Sequence, residues 1–107
     1  MTYRVIIESR AYRDLDKAHE RAARHAPETA YRWLIRFEEA LGTLSNSPER
    51  CPLAPENGLV TPEIRQFIFG KGRAKYRVLF TVEEESVHVL HIRWGGMSLA
   101  SKDDLFG

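Results

Sequence analysis

His91 and three arginines are the residues of this chain whose types best suit chemistry on a phosphate group. Cleavage of RNA without a metal ion requires a base, an acid, and cations that stabilise the phosphorane-like transition state. Arg65, Arg77 and Arg93 could supply the cations, and the imidazole of His91 is of the type that can serve as a base or acid. A strand histidine bonded to a neighbouring residue is the competing interpretation of His91. We therefore predict Arg65, Arg77 and His91 as candidate catalytic residues.

Basic residues are concentrated between residues 63 and 82, where Glu63 is the single acidic side chain. Clustered guanidinium groups suit two-pronged contact with phosphate oxygens, so the cluster favours phosphate binding. A solvated strand edge that resists aggregation would show the same pattern. The residues predicted to bind phosphate or RNA, beside the catalytic candidates, are Lys71, Arg73, Lys75 and Arg93.

No residue pattern in the sequence predicts a metal ion, a cofactor or a covalent nucleophile. His88 and His91 are three residues apart on a predicted strand, so their side chains point to opposite faces. Gly70–Gly72 lacks the further glycines and the Ser or Thr of a phosphate loop. Neither a serine nor Cys51 has the sequence context of an activated nucleophile. We therefore expect no metal and no cofactor.

The elements that must position these residues follow in the order strand, two helices, three strands. Residues 3–7 alternate as a strand does, and residues 10–25 show helical apolar spacing. Pro27 begins a second helix with a clear apolar face, which ends by Pro48. Three further strands are predicted at residues 64–69, 75–82 and 87–94. This order predicts an α+β fold, with a helical hairpin packed on one face of a small, largely antiparallel sheet.

We predict a single domain over residues 1–107, in which residues 97–107 are a polar tail. Four of the five prolines lie within residues 47–62, a long loop of the kind that is often functional. No apolar run approaches the roughly 20 residues of a membrane helix, and no secretory signal is apparent. The single cysteine fits a reducing compartment. We therefore expect a cytoplasmic protein with no membrane partner.

The register of the last two strands determines which side chains share a face of the sheet. A turn of two or four residues would place His91 and Arg93 on the side of Val78. A turn of three or five residues would place Leu90 and Ile92 there instead. We expect the second register, because it makes the face toward the helices almost wholly apolar.

In that register the outer face of the sheet mixes cationic and apolar side chains. Arg77, His91 and Arg93 lie on it together, with Lys75 and Arg65 nearby. A mixed, exposed face is typical of a partner surface, unless the polar tail folds back and covers it. The apolar residues predicted to bind a partner protein on this face are Leu79, Val87 and Val89.

Three segments, taken together, resemble the RelE/ParE superfamily of bacterial toxins. They are RCPLAPEN (Arg50–Asn57), EIRQFIFGKGRAKYRVLFTV (Glu63–Val82) and VHVLHIRWG (Val87–Gly95). With the order of the elements, the resemblance spans about residues 3–96. It implies the toxin of a type II toxin–antitoxin pair, bound by a cognate antitoxin through which the complex contacts operator DNA.

The resemblance implies two alternative activities. RelE-type toxins cleave mRNA on the ribosome without a metal, whereas ParE-type toxins poison DNA gyrase. Arg77 matches the RelE-type arginine at the scissile phosphate, and Arg65 matches a basic position on the preceding strand. Trp94 and Met97 stand where that branch has a histidine and a catalytic arginine. Ribosome-dependent mRNA cleavage by Arg65, Arg77 and His91 is the first hypothesis, gyrase inhibition the second, and a non-toxic protein-binding module the third.

Overall fold

The computed structural model describes residues 2–58 and 62–106, which form a four-stranded mixed sheet with two long helices on one face. The predicted α+β fold is confirmed. No helix in these two ranges has the length and apolar character needed to cross a membrane. The elements are β1 (Arg4–Ile7), α1 (Ser9–Ala23), α2 (Pro27–Gly42), β2 (Arg65–Phe69), β3 (Tyr76–Glu83), β4 (Ser86–Trp94) and α3 (Lys102–Phe106).

The strands lie in the order β1-β4-β3-β2, so the first and last strands of the chain are neighbours. β1 runs parallel to β4, with Val5 opposite Val87, while β3 is antiparallel to both β2 and β4. A parallel pair requires a crossover connection, and the helical hairpin supplies part of it. The long β3 and β4 therefore occupy the centre of the sheet, which is where most of the predicted site residues lie.

The inner face of the sheet, toward α1 and α2, forms the main apolar core. Phe37 of α2 is fully buried there against Val78 and Phe80 of β3. Its ring lies 4.4 Å from that of Phe69 and 5.3 Å from that of Trp33, centroid to centroid. Aromatic pairs at such separations add to the stabilisation from burial alone. The apolar stripe predicted for the second helix is therefore core.

The turn between β3 and β4 places Val87 and Val89 on the inner face, so their predicted position on the outer face is wrong. Glu84 and Glu85 form a two-residue turn, in which Glu84 adopts a positive φ of 53°. Val89 consequently lies opposite Phe80, and both valines are fully buried against the helices. Neither valine is available at the surface to bind a partner.

A β-bulge changes which face of the sheet the remaining β4 side chains occupy. Leu90 is the extra residue, because the pairing passes from Phe80 with Val89 directly to Leu79 with His91. Beyond the bulge, Ile92 faces the helices and Arg93 lies opposite Arg77 on the outer face, as predicted. Before the bulge, the β4 side chains face as a two-residue turn requires. After the bulge, they face as a three-residue turn would place them.

The outer face is covered over β3 and the second half of β4, so the prediction of an exposed face there is wrong. The C-terminal segment (residues 98–106), predicted as part of a polar tail, folds back over it. Leu79 is fully buried beneath this segment, in a second apolar cluster. The cluster also contains Ala54, Ile64, Leu90, Ala100 and Leu105. Part of the cover comes from the predicted loop at residues 47–62, of which residues 59–61 lie outside the described residues.

Candidate functional site

Arg77, the first predicted catalytic residue, points to the outer face but is enclosed by protein. It is 7% exposed, and Glu56 beside it is 0% exposed. Arg77 Nη1 and Nη2 donate hydrogen bonds to the two carboxylate oxygens of Glu56, over 2.9 and 2.5 Å. Arg77 Nε donates to Gln66 Oε1 over 2.9 Å. This two-pronged pair uses the guanidinium edges that a phosphate would need, so a phosphate could bind Arg77 only by displacing Glu56.

Glu56 is held in place by the loop that precedes β2. Its Oε2 also accepts a hydrogen bond from Ala100 N over 2.8 Å, which ties the loop to the C-terminal segment. Asn57 Oδ1 accepts from Ile64 N over 2.9 Å and fixes the loop to the start of β2. Burial alone would raise the pKa of Glu56, but the hydrogen bonds from Arg77 and Ala100 and the charge of Arg77 outweigh it. The net pKa lies below the ordinary value, so Glu56 is ionised at neutral pH.

His91 has protein partners at both ring nitrogens. β1 is shorter than β4, and Asp14 of α1 lies along the β4 edge that β1 leaves free. Asp14 Oδ2 lies 2.5 Å from His91 Nδ1 and accepts from Ile92 N over 3.0 Å. Arg93 Nη1 lies 3.2 Å from His91 Nε2. Because Arg93 can only donate, this geometry assigns Nε2 of His91 as the acceptor of that contact and Nδ1 as the donor to Asp14.

Arg93 is buried as well and holds the C-terminal segment against β4. Its Nε donates to Ser98 O over 2.7 Å, and its Nη1 lies 3.4 Å from Asp104 Oδ2. Asp104 also accepts from Ser101 N over 2.9 Å and from Arg10 Nη2 over 3.3 Å. The predicted phosphate ligand Arg93 is therefore a link between the sheet and the segment that covers it.

Two carboxylates of this cluster have lowered pKa values. Burial alone would raise the pKa of Asp14, but hydrogen bonds from the His91 ring and a β4 backbone amide outweigh it. For Asp104, the backbone hydrogen bond from Ser101 is the main cause of a lowered pKa, and the charge of Arg93 adds to it. Both groups are ionised at neutral pH and offset the positive charge beside them.

Arg65 lies on the other side of the sheet from Arg77. It pairs with Phe80, whose side chain faces the helices, so the prediction that Arg65 shares the face of Arg77 is wrong. Arg65 Nη1 donates to Cys51 O over 2.7 Å and to Glu49 O over 3.3 Å. The structure therefore brings His91 close to Arg93, but it does not bring the three predicted catalytic residues together.

Three predicted phosphate ligands remain exposed, at the connection between β2 and β3. Lys71, Arg73 and Lys75 are all exposed, and none forms a salt bridge with another residue in the described part of the chain. Gly70 and Gly72 have positive φ values of 92° and 56°, which turn the chain between the strands. These cations are separate from the buried arginines, and their role stays a prediction.

Sequence reasoning missed the carboxylates that neutralise the outer face. They are Glu56, Asp14 and Asp104. The signal was Arg77 itself, which interrupts the apolar run of β3 and so needs a carboxylate partner if that strand is buried on both faces. Within residues 2–58 and 62–106, no group of three or more His, Cys, Asp or Glu side chains is arranged to hold a metal ion.

Comparisons with known proteins identify the family. The family model of the ParE toxin of the type II toxin–antitoxin system parDE matches residues 5–99. Among solved structures, the chain is similar to one described as the chromosomal ParDE TA system from P. aeruginosa, with a TM-score of 0.71 and 17% identity. That match covers 87% of this chain and 96% of the other, and at this identity it shows the fold alone. No curated protein matches. Because the family model covers most of its length, the chain belongs to the ParE toxin family of type II toxin–antitoxin systems.

Proposed function

We propose that this chain is a ParE-type toxin that inhibits DNA gyrase. The buried pair of Arg77 and Glu56 is the observation that carries this proposal. A metal-free ribonuclease needs a cation that is free to contact the scissile phosphate. Here all three nitrogen positions of the Arg77 side chain donate to protein acceptors. The family match supports the same choice, since gyrase is the target that the ParE resemblance implies.

The end of β4 also favours gyrase inhibition over RNA cleavage. Trp94 and Met97 stand where RelE-type toxins have a histidine and a catalytic arginine, and both are about half exposed. Trp94 Nε1 donates to Arg73 O over 2.7 Å, so its indole serves a structural contact. Neither side chain can transfer a proton to the leaving oxygen or stabilise negative charge on a phosphate as an arginine does.

A cognate antitoxin is the expected partner, and operator DNA is contacted only through it. Leu79, Val87 and Val89 were predicted to bind the antitoxin, but all three are fully buried. The antitoxin surface therefore has to include other residues, because displacement of the C-terminal segment would expose Leu79 but leave Val87 and Val89 covered by the helices. Toxin and antitoxin would meet in the cytoplasm, where gyrase acts.

Ribosome-dependent mRNA cleavage is the second candidate, and it would require the pair of Arg77 and Glu56 to open. A carboxylate and a guanidinium in direct contact, as in Glu56 and Arg77, are a base and a phosphate ligand of the kind that RNA cleavage needs. They could act only if the C-terminal segment moved away, because Ala100 N is bonded to Glu56.

The proposal is tested with two assays on the same purified toxin. We expect the toxin to block supercoiling of relaxed plasmid by purified DNA gyrase, and to leave mRNA intact on programmed ribosomes. Addition of the cognate antitoxin is the control, and it should restore supercoiling. Intact supercoiling together with cleaved mRNA would overturn the proposal in favour of the second candidate. A lack of effect in both assays would favour a protein-binding module.

A further inference from the structure

A pocket between α1 and the end of β4 has no part in the proposed function. Its volume is about 320 Å³, which falls at the small end of the roughly 300–1,000 Å³ typical of small-molecule sites. Four cationic side chains line this α1–β4 pocket, against two carboxylates. Tyr76, Trp94 and Met97 provide its less polar wall. The pocket thus combines positive charge with an aromatic surface.

The positive charge of the α1–β4 pocket is available to a ligand. Lys17 and Arg21 lie one turn apart on the same face of α1, and neither forms a salt bridge with another described residue. Arg93 Nη2 has no hydrogen-bond partner in the described part of the chain, so it can donate to a bound anion. Asp14 and Asp104 already accept hydrogen bonds from protein donors, which offsets their charge.

Trp94 is an exposed aromatic ring whose orientation is fixed. It is 43% exposed, yet its Nε1 donates to Arg73 O. The ring lies so close to Gly96 that a Cβ atom at that glycine would come within 2.5 Å of it. A ring that is immobilised before binding loses little entropy when a planar group stacks on it. Trp94 is therefore suited to stack on a nucleobase.

We infer that the α1–β4 pocket binds a nucleoside phosphate, with the base on Trp94 and the phosphate between Lys17, Arg21 and Arg93. The volume of about 320 Å³ is that of a small-molecule site. A free nucleotide and the phosphorylated end of a nucleic acid strand present the same chemistry to these residues. The inference is independent of whether gyrase or mRNA is the target.

The direct test is isothermal titration calorimetry of the whole protein at low salt. The probes are ATP, inorganic pyrophosphate, and a dinucleotide with or without a terminal phosphate. We expect ATP to bind more tightly than pyrophosphate, which has no base to stack. The dinucleotide should bind only with its terminal phosphate. Its affinity relative to ATP distinguishes a strand end from a free nucleotide as the natural ligand.

Removal of the phosphate contacts should weaken the binding of every probe that carries a phosphate. We expect Lys17→Ala combined with Arg21→Ala to raise the Kd of both ATP and pyrophosphate roughly tenfold, since charge-assisted contacts to phosphate are lost. The matched control is Arg13→Ala with Arg24→Ala, which removes the same charge from exposed positions outside the pocket. The control should leave both Kd values within about twofold of the wild type.

Displacement of the Trp94 ring should weaken only the binding of probes that contain a base. Gly96→Ala places a methyl group against the ring, so we expect the Kd of ATP to rise roughly tenfold and that of pyrophosphate to stay unchanged. Gly42→Ala is the matched control, because a Cβ there meets no atom within 4 Å. Circular dichroism checks that each variant is folded.

Two results would overturn the inference. One is the absence of a binding heat for ATP, pyrophosphate and the phosphorylated dinucleotide at millimolar concentration. The other is an equal loss of affinity in the pocket variant and in the Arg13 and Arg24 control, which would mean a general electrostatic attraction to the protein surface.

Discussion

The two faces of the central strand β3 are both buried, but by different means. On the inner face, Val78 and Phe80 pack against Phe37 and other apolar side chains of the helices. On the outer face, Leu79 is covered by a short segment that is also bonded to Arg93 and to Glu56, the partner of Arg77. Apolar burial stabilises the inner face without need of specific partners, whereas the outer face combines an apolar cluster with buried charges that must be matched. The contrast shows how a basic residue that suggests a phosphate site, here Arg77, can instead hold a protein together.

Truncation of the inner core should have the largest effect. We expect Phe37→Ala to lower the free energy of unfolding by about 3–5 kcal/mol, because a fully buried aromatic side chain leaves a cavity. Urea denaturation followed by circular dichroism measures the loss. A loss below roughly 1 kcal/mol would mean that the inner face is not the principal core.

Removal of one charge beneath the C-terminal segment should have the next largest effect. We expect Glu56→Gln to cost about 3 kcal/mol, because Arg77 is left as a buried charge with an amide in place of the carboxylate. The double variant Glu56→Leu with Arg77→Met should be more stable than Glu56→Gln alone, since no unmatched charge remains. If the double variant is the less stable one, the pair itself stabilises the outer face.

The apolar anchor of the C-terminal segment should contribute less. We expect Leu105→Ala to cost about 2 kcal/mol, at the low end for a buried leucine, because a segment near the chain end can relax around the change. Phe106, which is 53% exposed, is the matched control. Phe106→Ala should change the stability by less than about 0.5 kcal/mol. Equal losses for the two variants would contradict the packing of Leu105 in the outer cluster.

Acid should weaken the outer face before the inner one. The folded-state pKa values of Asp14, Glu56 and Asp104 are lowered, so their stabilisation is present above the ordinary carboxyl pKa and lost as the pH falls through the folded values. We expect the free energy of unfolding to decline below about pH 4. Hydrogen exchange of the β4 amide of Ile92, which donates to Asp14, should accelerate in the same range. The free energy of unfolding should decline less steeply with falling pH in Glu56→Gln than in the wild type. An identical pH profile would argue against a contribution of the Glu56 carboxylate to stability.

The sequence predicted the elements and the inner core well, because both depend on local patterns. The stripe of α2 that contains Phe37, and the alternation of Val78 and Phe80, follow from residue spacing alone. The face on which Val87 and Val89 lie was predicted wrongly, because the bulge at Leu90 gives the two halves of β4 different registers. A prediction that assumes one register for the whole strand cannot describe both halves.

Residue order alone determined the strand–helix–helix–strand–strand–strand arrangement and the likeness to the toxin superfamily. Only the tertiary structure decided what the basic residues do. Arg77 meets Glu56 across 21 positions of the chain, and His91 meets Asp14 across 77. Whether an arginine is free or paired depends on such distant contacts, which form only when the chain folds. Local spacing carries no record of them, and so the same cations could be assigned from sequence to a phosphate site.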